Sequence, residues 1–250
     1  MTDFINILDT KSQEYGIQLS REQLTAFDIY YNLLIEFNEK VNLTALTSPE
    51  DVAVKHIIDS LSCFDKDLFL DKATVLDLGT GAGFPGLPLK IFYPNLKLTL
   101  VDSLKKRLNF LDEVINTLQK TNSLSDIAEN MNEIILVHSR AETLGKDKTY
   151  RESQDIVVSR AVAKLSVLAE YCLPLVKQKG YFIALKGANL EEELKDAEKA
   201  INILGGTIFK IQNILLPKLP DKRAVIYIKK IKETPLKYPR REGIPEKKSL

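Results

Sequence analysis

Val75-Leu76-Asp77-Leu78-Gly79-Thr80-Gly81-Ala82-Gly83-Phe84-Pro85-Gly86 is the stretch on which the fold turns. It reads as a buried strand, a glycine-rich turn and the start of a helix. In a doubly wound α/β sheet the carboxyl ends of the strands form the ligand crevice, and glycines let backbone come close to a ligand. Gly81-x-Gly83-x-x-Gly86 also satisfies the dinucleotide fingerprint, and Asp102 follows Gly81 by 21 residues, about where a ribose-binding acid belongs. Asp77 separates the two readings. A pyrophosphate needs amide donors and a helix dipole at the strand end, and a carboxylate two residues before the first glycine would repel it. A sulfonium carrying an α-ammonium group suits that carboxylate. Asp102, within Val101-Asp102-Ser103, is placed to accept both ribose hydroxyls of an adenosine. Each acid has a plainer use, Asp77 as a turn or helix cap and Asp102 as the N-cap of a helix starting near Ser103. Strand, glycine turn and second acid together at this spacing favour S-adenosylmethionine.

Working outward, the pattern downstream alternates short β-branched or leucine-rich runs, at residues 74–78, 97–101, 134–138, 156–159 and 181–185, with longer amphipathic stretches. That alternation predicts a parallel sheet. Two further strands, 207–215 and 223–231, have only Pro217 and Pro220 as breakers between them and predict an antiparallel hairpin that closes the sheet. Residues 140–153 read as a polar connection with at most a short helix. Upstream, Ser20-Arg21-Glu22-Gln23 has capping-box spacing, followed at helical intervals by Leu24, Phe27, Tyr31, Leu34 and Ile35. Ser48-Pro49-Glu50-Asp51 repeats the start signal. The expected organisation is a helical extension over 1–70, a Rossmann-like domain with a mostly parallel seven-stranded sheet over 71–232, and a basic tail over 233–250.

Composition narrows the classes. With 44% hydrophobic residues in 250, the chain can bury a core unaided. The longest run free of Asp, Glu, Lys and Arg is the twelve residues 78–89, short of the roughly 20 that a bilayer needs. The opening Met1-Thr2-Asp3-Phe4 has an acid where a signal peptide has basic residues, so a cytoplasmic protein is expected. Two cysteines, Cys63 and Cys172, and two histidines make a metal site an unsuitable reading; both thiols are expected to be buried and reduced. The net charge of +1 hides an asymmetry: residues 218–250 hold eleven Lys or Arg against four acids, +7, and the rest carries −6. The basic end reads equally as an anion contact and as a solvated terminus.

These residues resemble a known family, the bacterial 16S rRNA guanine-N7 methyltransferases once called glucose-inhibited division protein B. The resemblance runs through Asn42-Leu43-Thr44, His56-Ile57-Ile58-Asp59-Ser60-Leu61, the glycine stretch, Asp102-Ser103-Leu104-Lys105-Lys106-Arg107, Arg140-Ala141-Glu142, Ser159-Arg160-Ala161, Leu185-Lys186-Gly187 and Tyr238-Pro239-Arg240-Arg241-x-Gly243-x-Pro245. It implies methylation of N7 of a guanine in the 530 loop, position 527, by a monomer acting on 16S rRNA or a 30S assembly intermediate. The cofactor set it implies is Asp77, Gly79, Thr80, Gly81, Gly83, Phe84, Asp102, Ser103, Ala141, Glu142 and Arg160, with Ala141 and Glu142 on the adenine side. Arg160, Lys186, Arg223, Arg240 and Arg241 are the expected RNA contacts.

The residues agree with that chemistry as far as they reach. Exocyclic-amine methylation usually calls for an Asn/Asp-Pro-Pro-aromatic loop after the fourth strand, where this chain has Ser159-Arg160-Ala161-Val162. Carbon methylation of a pyrimidine wants a cysteine at the cleft, and Cys63 and Cys172 are expected inside helical segments. Guanine N7 carries an in-plane lone pair and loses no proton on alkylation, so alignment suffices and no general base is expected. His56 and Asp59, three apart on a helix, fit a structural pair at least as well as a substrate contact. Tyr30, Tyr31 and Phe37 read as helix core. A nicotinamide-dependent oxidoreductase, a non-catalytic RNA-binding module, and a methyltransferase for another substrate remain the alternatives at this stage.

Overall fold

The computed structural model describes residues 2–160, 163–187, 190–217 and 223–250. Two helices lead the chain. Thr2 caps α1 (Asp3–Glu14), a helix the sequence reading does not mark separately, and the expected Ser20–Gln23 capping box starts α2 (Arg21–Asn38). A third helix, α3, runs from Pro49–Asp51 through a π-helical stretch, Val52–Ile58, to Asp59–Leu61. Cys63 falls in the turn that follows α3, not within a helix.

The sheet then alternates with helices: β1 (Thr74–Leu78), α4 (Gly86–Phe92), β2 (Lys97–Asp102), α5 (Lys105–Gln119), α6 (Ser125–Asn130) and β3 (Ile134–His138). It continues with α7 (Ala141–Leu144), β4 (Gln154–Arg160), α8 (Leu165–Cys172), β5 (Val176–Lys186), α9 (Leu190–Ile203), β6 (Gly206–Ile214), β7 (Arg223–Lys230) and α10 (Ile244–Lys247). The order across the sheet is β3-β2-β1-β4-β5-β7-β6. β7 runs antiparallel to both its neighbours and every other pairing is parallel, so the expected hairpin is present with β7 inserted beside β5. Pro220 lies outside the described residues. The switch in strand direction of travel falls between β1 and β4, which puts the crevice at the end of β1.

Strand alternation divides the core in two. Val75, Ile156, Val158, Ile183 and Tyr227 point to one face and pack with Phe27, Tyr30 and Leu34 of α2, Ile57 and Ile58 of α3, and Leu87, Phe110 and Leu111. Leu76, Val157, Phe182, Ala184 and Ile226 point to the other, against Leu168 and Cys172 of α8, Ala197 and Ile201 of α9, and Tyr238. Such a period-two pattern buried on both sides is what a central parallel sheet requires. A fully buried Leu, Ile or Phe contributes roughly 1.5–3 kcal/mol. The N-terminal helices therefore share a core with the sheet. Tyr30 is 1% exposed and belongs to it, and Tyr31 and Phe37 pack against it half-buried.

Residues 233–250 are anchored to the body at a few buried points, with most of their charged side chains left exposed. Arg151 donates to the carbonyls of Thr234 (2.7 Å) and Tyr238 (2.9 Å), and Tyr238 and Pro245 are buried. No helix among the described residues is long and apolar enough to cross a membrane.

Candidate active site

The glycine turn is built on β1 and held from three sides. Gly79 and Thr80 donate their amides to the Val101 carbonyl (2.9 and 3.0 Å), tying the turn to the end of β2. Gly79, Gly81 and Gly83 all have positive φ (75°, 60° and 101°), a conformation only glycine adopts freely. Tyr30 of α2 donates its hydroxyl to the Ala82 carbonyl and stacks on Phe84 at 5.3 Å. At Gly86 a Cβ would lie 2.7 Å from Leu100 Cδ2 and 2.9 Å from Asp77 Cβ, so α4 can only start this close to the sheet without a side chain.

Asp77 is fully buried beneath the turn. Its Oδ2 accepts from Thr80 Oγ1 (2.7 Å) and the Gly86 amide (2.8 Å), which is the capping use foreseen for it, while Oδ1 is buried without a partner. Burial pushes its carboxyl up to about 6, against the pull of those two hydrogen bonds. Asp102, at the end of β2, accepts from the Gly81 amide (2.9 Å) and Arg107 Nη1 (3.2 Å) on Oδ2, and from the Leu104 amide (2.8 Å) on Oδ1. A carboxylate has about four acceptor positions, so one remains on Oδ1.

These ends form a cleft. Its floor is Leu78 of β1, Gly79 of the turn and residues 101–103 at the end of β2; one wall is residues 139–142; Leu168, Tyr171, Arg107 and Glu246 complete it. Of the expected cofactor residues, Gly79, Asp102, Ser103, Ala141 and Glu142 line it. Asp77, Thr80, Gly81, Gly83, Phe84 and Arg160 do not, although Asp77 and Thr80 hold the turn that does. Tyr171 and Glu246 went unforeseen because α8 and the terminal segment reach the cleft only through tertiary packing. Arg107 had appeared only as part of a motif.

Beside the cleft lies a second cluster. Asp59 of α3, 5% exposed in its side chain, bridges Arg160 of β4 (Oδ2, 3.0 Å) and Arg223 of β7 (Oδ1, 2.9 Å). Arg160 lies 5.0 Å over the Phe84 ring, against which His56 stacks at 4.5 Å. His56 Nδ1 faces Arg160 Nη2 (3.2 Å) and its Nε2 faces Thr44 Oγ1 (2.8 Å). A guanidinium only donates, so the network assigns Nδ1 as acceptor and Nε2–H as donor to Thr44. Burial and then the Arg160 charge lower His56 to about 3. The partner of Asp59 is thus a pair of arginines from the sheet, not His56 three residues before it.

The other expected RNA contacts are placed unequally. Lys186 donates to the Ala163 carbonyl (2.7 Å) and pairs with Glu193 (2.9 Å). Arg240 grips the buried Glu170 through its backbone amide and both sides of its guanidinium fork. Arg241 is exposed. Ala161 and Val162 lie outside the described residues.

A seven-stranded sheet with one antiparallel strand, flanked by helices, with its cleft at the β1 and β2 ends, is the class I methyltransferase fold. Solved structures share the fold: Pyrococcus horikoshii PH0793 aligns with a TM-score of 0.52 at 12% identity over 72% of this chain and 63% of that one. A fibrillarin/Nop5p complex aligns at 0.50, with 18% identity over 70% and 80%. The chain belongs to the rRNA small subunit methyltransferase G family, whose family model matches residues 23–218. It is 50% identical to Ribosomal RNA small subunit methyltransferase G of Desulforamulus reducens over the whole of both chains. The same-named protein of Alkaliphilus metalliredigens is 46% identical over 98% of each.

Proposed function

We propose that this chain transfers the methyl group of S-adenosylmethionine to N7 of guanine 527 in the 530 loop of 16S rRNA, acting as a monomer in the cytoplasm on rRNA or a 30S intermediate. The observation that carries the reading is the pair of carboxylates, Asp77 and Asp102, framing a positive-φ glycine turn at the mouth of this fold. The residues fit the cofactor. Asp77 Oδ1 is a buried acceptor without a donor beneath the turn, an acceptor of the kind an ammonium group would need, and Asp102 keeps an acceptor position for a ribose hydroxyl. Backbone of residues 79–81 and 103, with Ala141 and Glu142, would hold the adenosine half. When bound, the cofactor supplies a methyl group activated by its sulfonium.

The chain's own part is alignment. N7 attacks with an existing lone pair, so no side chain has to take a proton before the methyl group moves. Of the two imidazoles, buried His56 has its lone pair facing Arg160 and stays neutral, which suits a packing role and not that of a general base, and His138, at the cleft rim, donates Nε2–H to the Ser103 carbonyl (2.9 Å). Arg160 and Arg223 meet on Asp59 at the β4 and β7 ends, where they would face the RNA, while Lys186 ends β5 on the other face of the sheet, paired with Glu193. Arg160 and Arg223 share the single charge of Asp59, and the site keeps a net positive charge beside the cleft.

The test supplies methyl-labelled S-adenosylmethionine with either free 16S rRNA or 30S particles lacking the mark, followed by borohydride and aniline scission, which cleaves at N7-methylguanine. We expect label in one substrate and scission at the 530-loop guanine. Absence of label in both would overturn the activity; label without scission would move the methyl group to another atom.

A further inference from the structure

The basic terminal segment, expected as a tail, is seated on the cleft itself. We propose that residues 238–247 form a strap that is part of the cofactor site and sets its affinity for the adenosine half, instead of serving chiefly as a grip on RNA. The proposal rests on the reading of the cleft as the S-adenosylmethionine site. Four contacts join strap and cleft. Arg240 clasps Glu170 with its amide (2.8 Å), Nε (2.9 Å) and Nη2 (2.6 Å), and that carboxylate is 1% exposed. A carboxylate so buried is costly unless paired, so the clasp is a fixed anchor and the Arg240 charge is committed. Glu170 lies on α8, whose Leu168 and Tyr171 face the cleft.

Second, one oxygen of Glu142 accepts from both the Gly243 amide of the strap (2.9 Å) and the Tyr171 hydroxyl (3.3 Å). Glu142 is itself a wall of the cleft, so strap, helix and wall meet on a single atom. Third, Glu246 of the strap lines the cleft directly. The seat is also shaped for close approach: a Cβ on Gly145 would come 2.8 Å from Pro239 Cγ, and a proline ring cannot swing away as a long side chain would. Arg140, on the wall, pairs with Glu242 of the strap (2.7 Å) and closes the outer rim.

Calorimetric titration of S-adenosylhomocysteine tests this with three variants. Gly145→Val crowds Pro239 without touching a cleft side chain. A chain ending at Arg240 keeps Tyr238 and the Glu170 clasp but loses Gly243 and Glu246. Both should weaken binding at least about tenfold, or about 1.4 kcal/mol, while removing exposed charges just outside the strap with Lys237→Ala and Lys248→Ala together should leave Kd within about twofold. Circular dichroism establishes that each variant is folded; if Gly145→Val is not, the truncation decides. Parent-like affinity in the folded truncated chain would overturn the strap. A parent chain that does not bind S-adenosylhomocysteine at all would instead overturn the cofactor reading and the strap with it.

Discussion

His56 and Asp77 are buried titratable groups displaced in ways that oppose each other with pH. His56 stays neutral down to about 3 when folded, against 6.5 ordinarily, so between those values the unfolded chain binds a proton that the folded chain does not. Stability from this group falls on acidification. Asp77 has a folded value of about 6, above the ordinary 3.8, so in that window the folded chain holds the extra proton and stability rises on acidification. The two slopes offset each other over the shared range. Asp77→Asn should leave the His56 slope unopposed. Its unfolding free energy, from urea titrations, should then fall more steeply than the parent's between pH 6 and 4, by up to about 1.4 kcal/mol per pH unit. Parallel slopes would rule out Asp77 as the proton acceptor. The position of Asp77 and Asp102 at the strand ends beside the glycine turn was legible from spacing, because a strand followed by a turn fixes where its last residues lie. The arginine pair on Asp59 was not: Arg160 is 101 residues away, and only the sheet order brings it to α3.

At the scale of elements, two of the three glycines in the turn between β1 and α4 are of unlike necessity. Gly81 has φ +60° and open space where a Cβ would be; Gly83 has φ +101°, with Tyr30 Oη at 2.7 Å and Leu111 Cδ2 at 2.8 Å from that position. Gly81→Ala should cost about 1–2 kcal/mol, the penalty of a left-handed L-residue. Gly83→Ala adds overpacking and should exceed it by about 1–3 kcal/mol. Equal losses in denaturant unfolding would mean that α2 and α5 yield to the extra methyl group. Element boundaries were legible where hydrophobic period and punctuation agree, as at β1 and β3, which begin and end where the pattern does. β5 starts at Val176, before the expected 181, because Lys177, Gln178 and Lys179 are exposed and leave no apolar signal. The π-helical stretch in α3 has no residue signature that periodicity could reveal.

Across the whole molecule, the helical extension is part of the main body. One hydrophobic cluster runs from Phe4 and Leu8 through α2 and α3 to Val75, Leu98 and Ile183 of the sheet. A shared core predicts a single cooperative transition: tyrosine fluorescence, suited to a chain without tryptophan, and far-ultraviolet circular dichroism should give coincident urea midpoints. Two separated midpoints would make the extension an independent unit. The sheet also keeps its two faces chemically apart. Cys63 lies in the cluster beneath the N-terminal helices and Cys172 in the cluster beneath α8 and α9, each fully buried. Burial raises both thiols above their ordinary value, so neither is a reactive thiolate while packed. A disulfide reagent therefore reaches each sulfur only when its own side of the sheet opens. The chain carries one built-in reporter per face, and comparing the two labelling rates would tell which side breathes first.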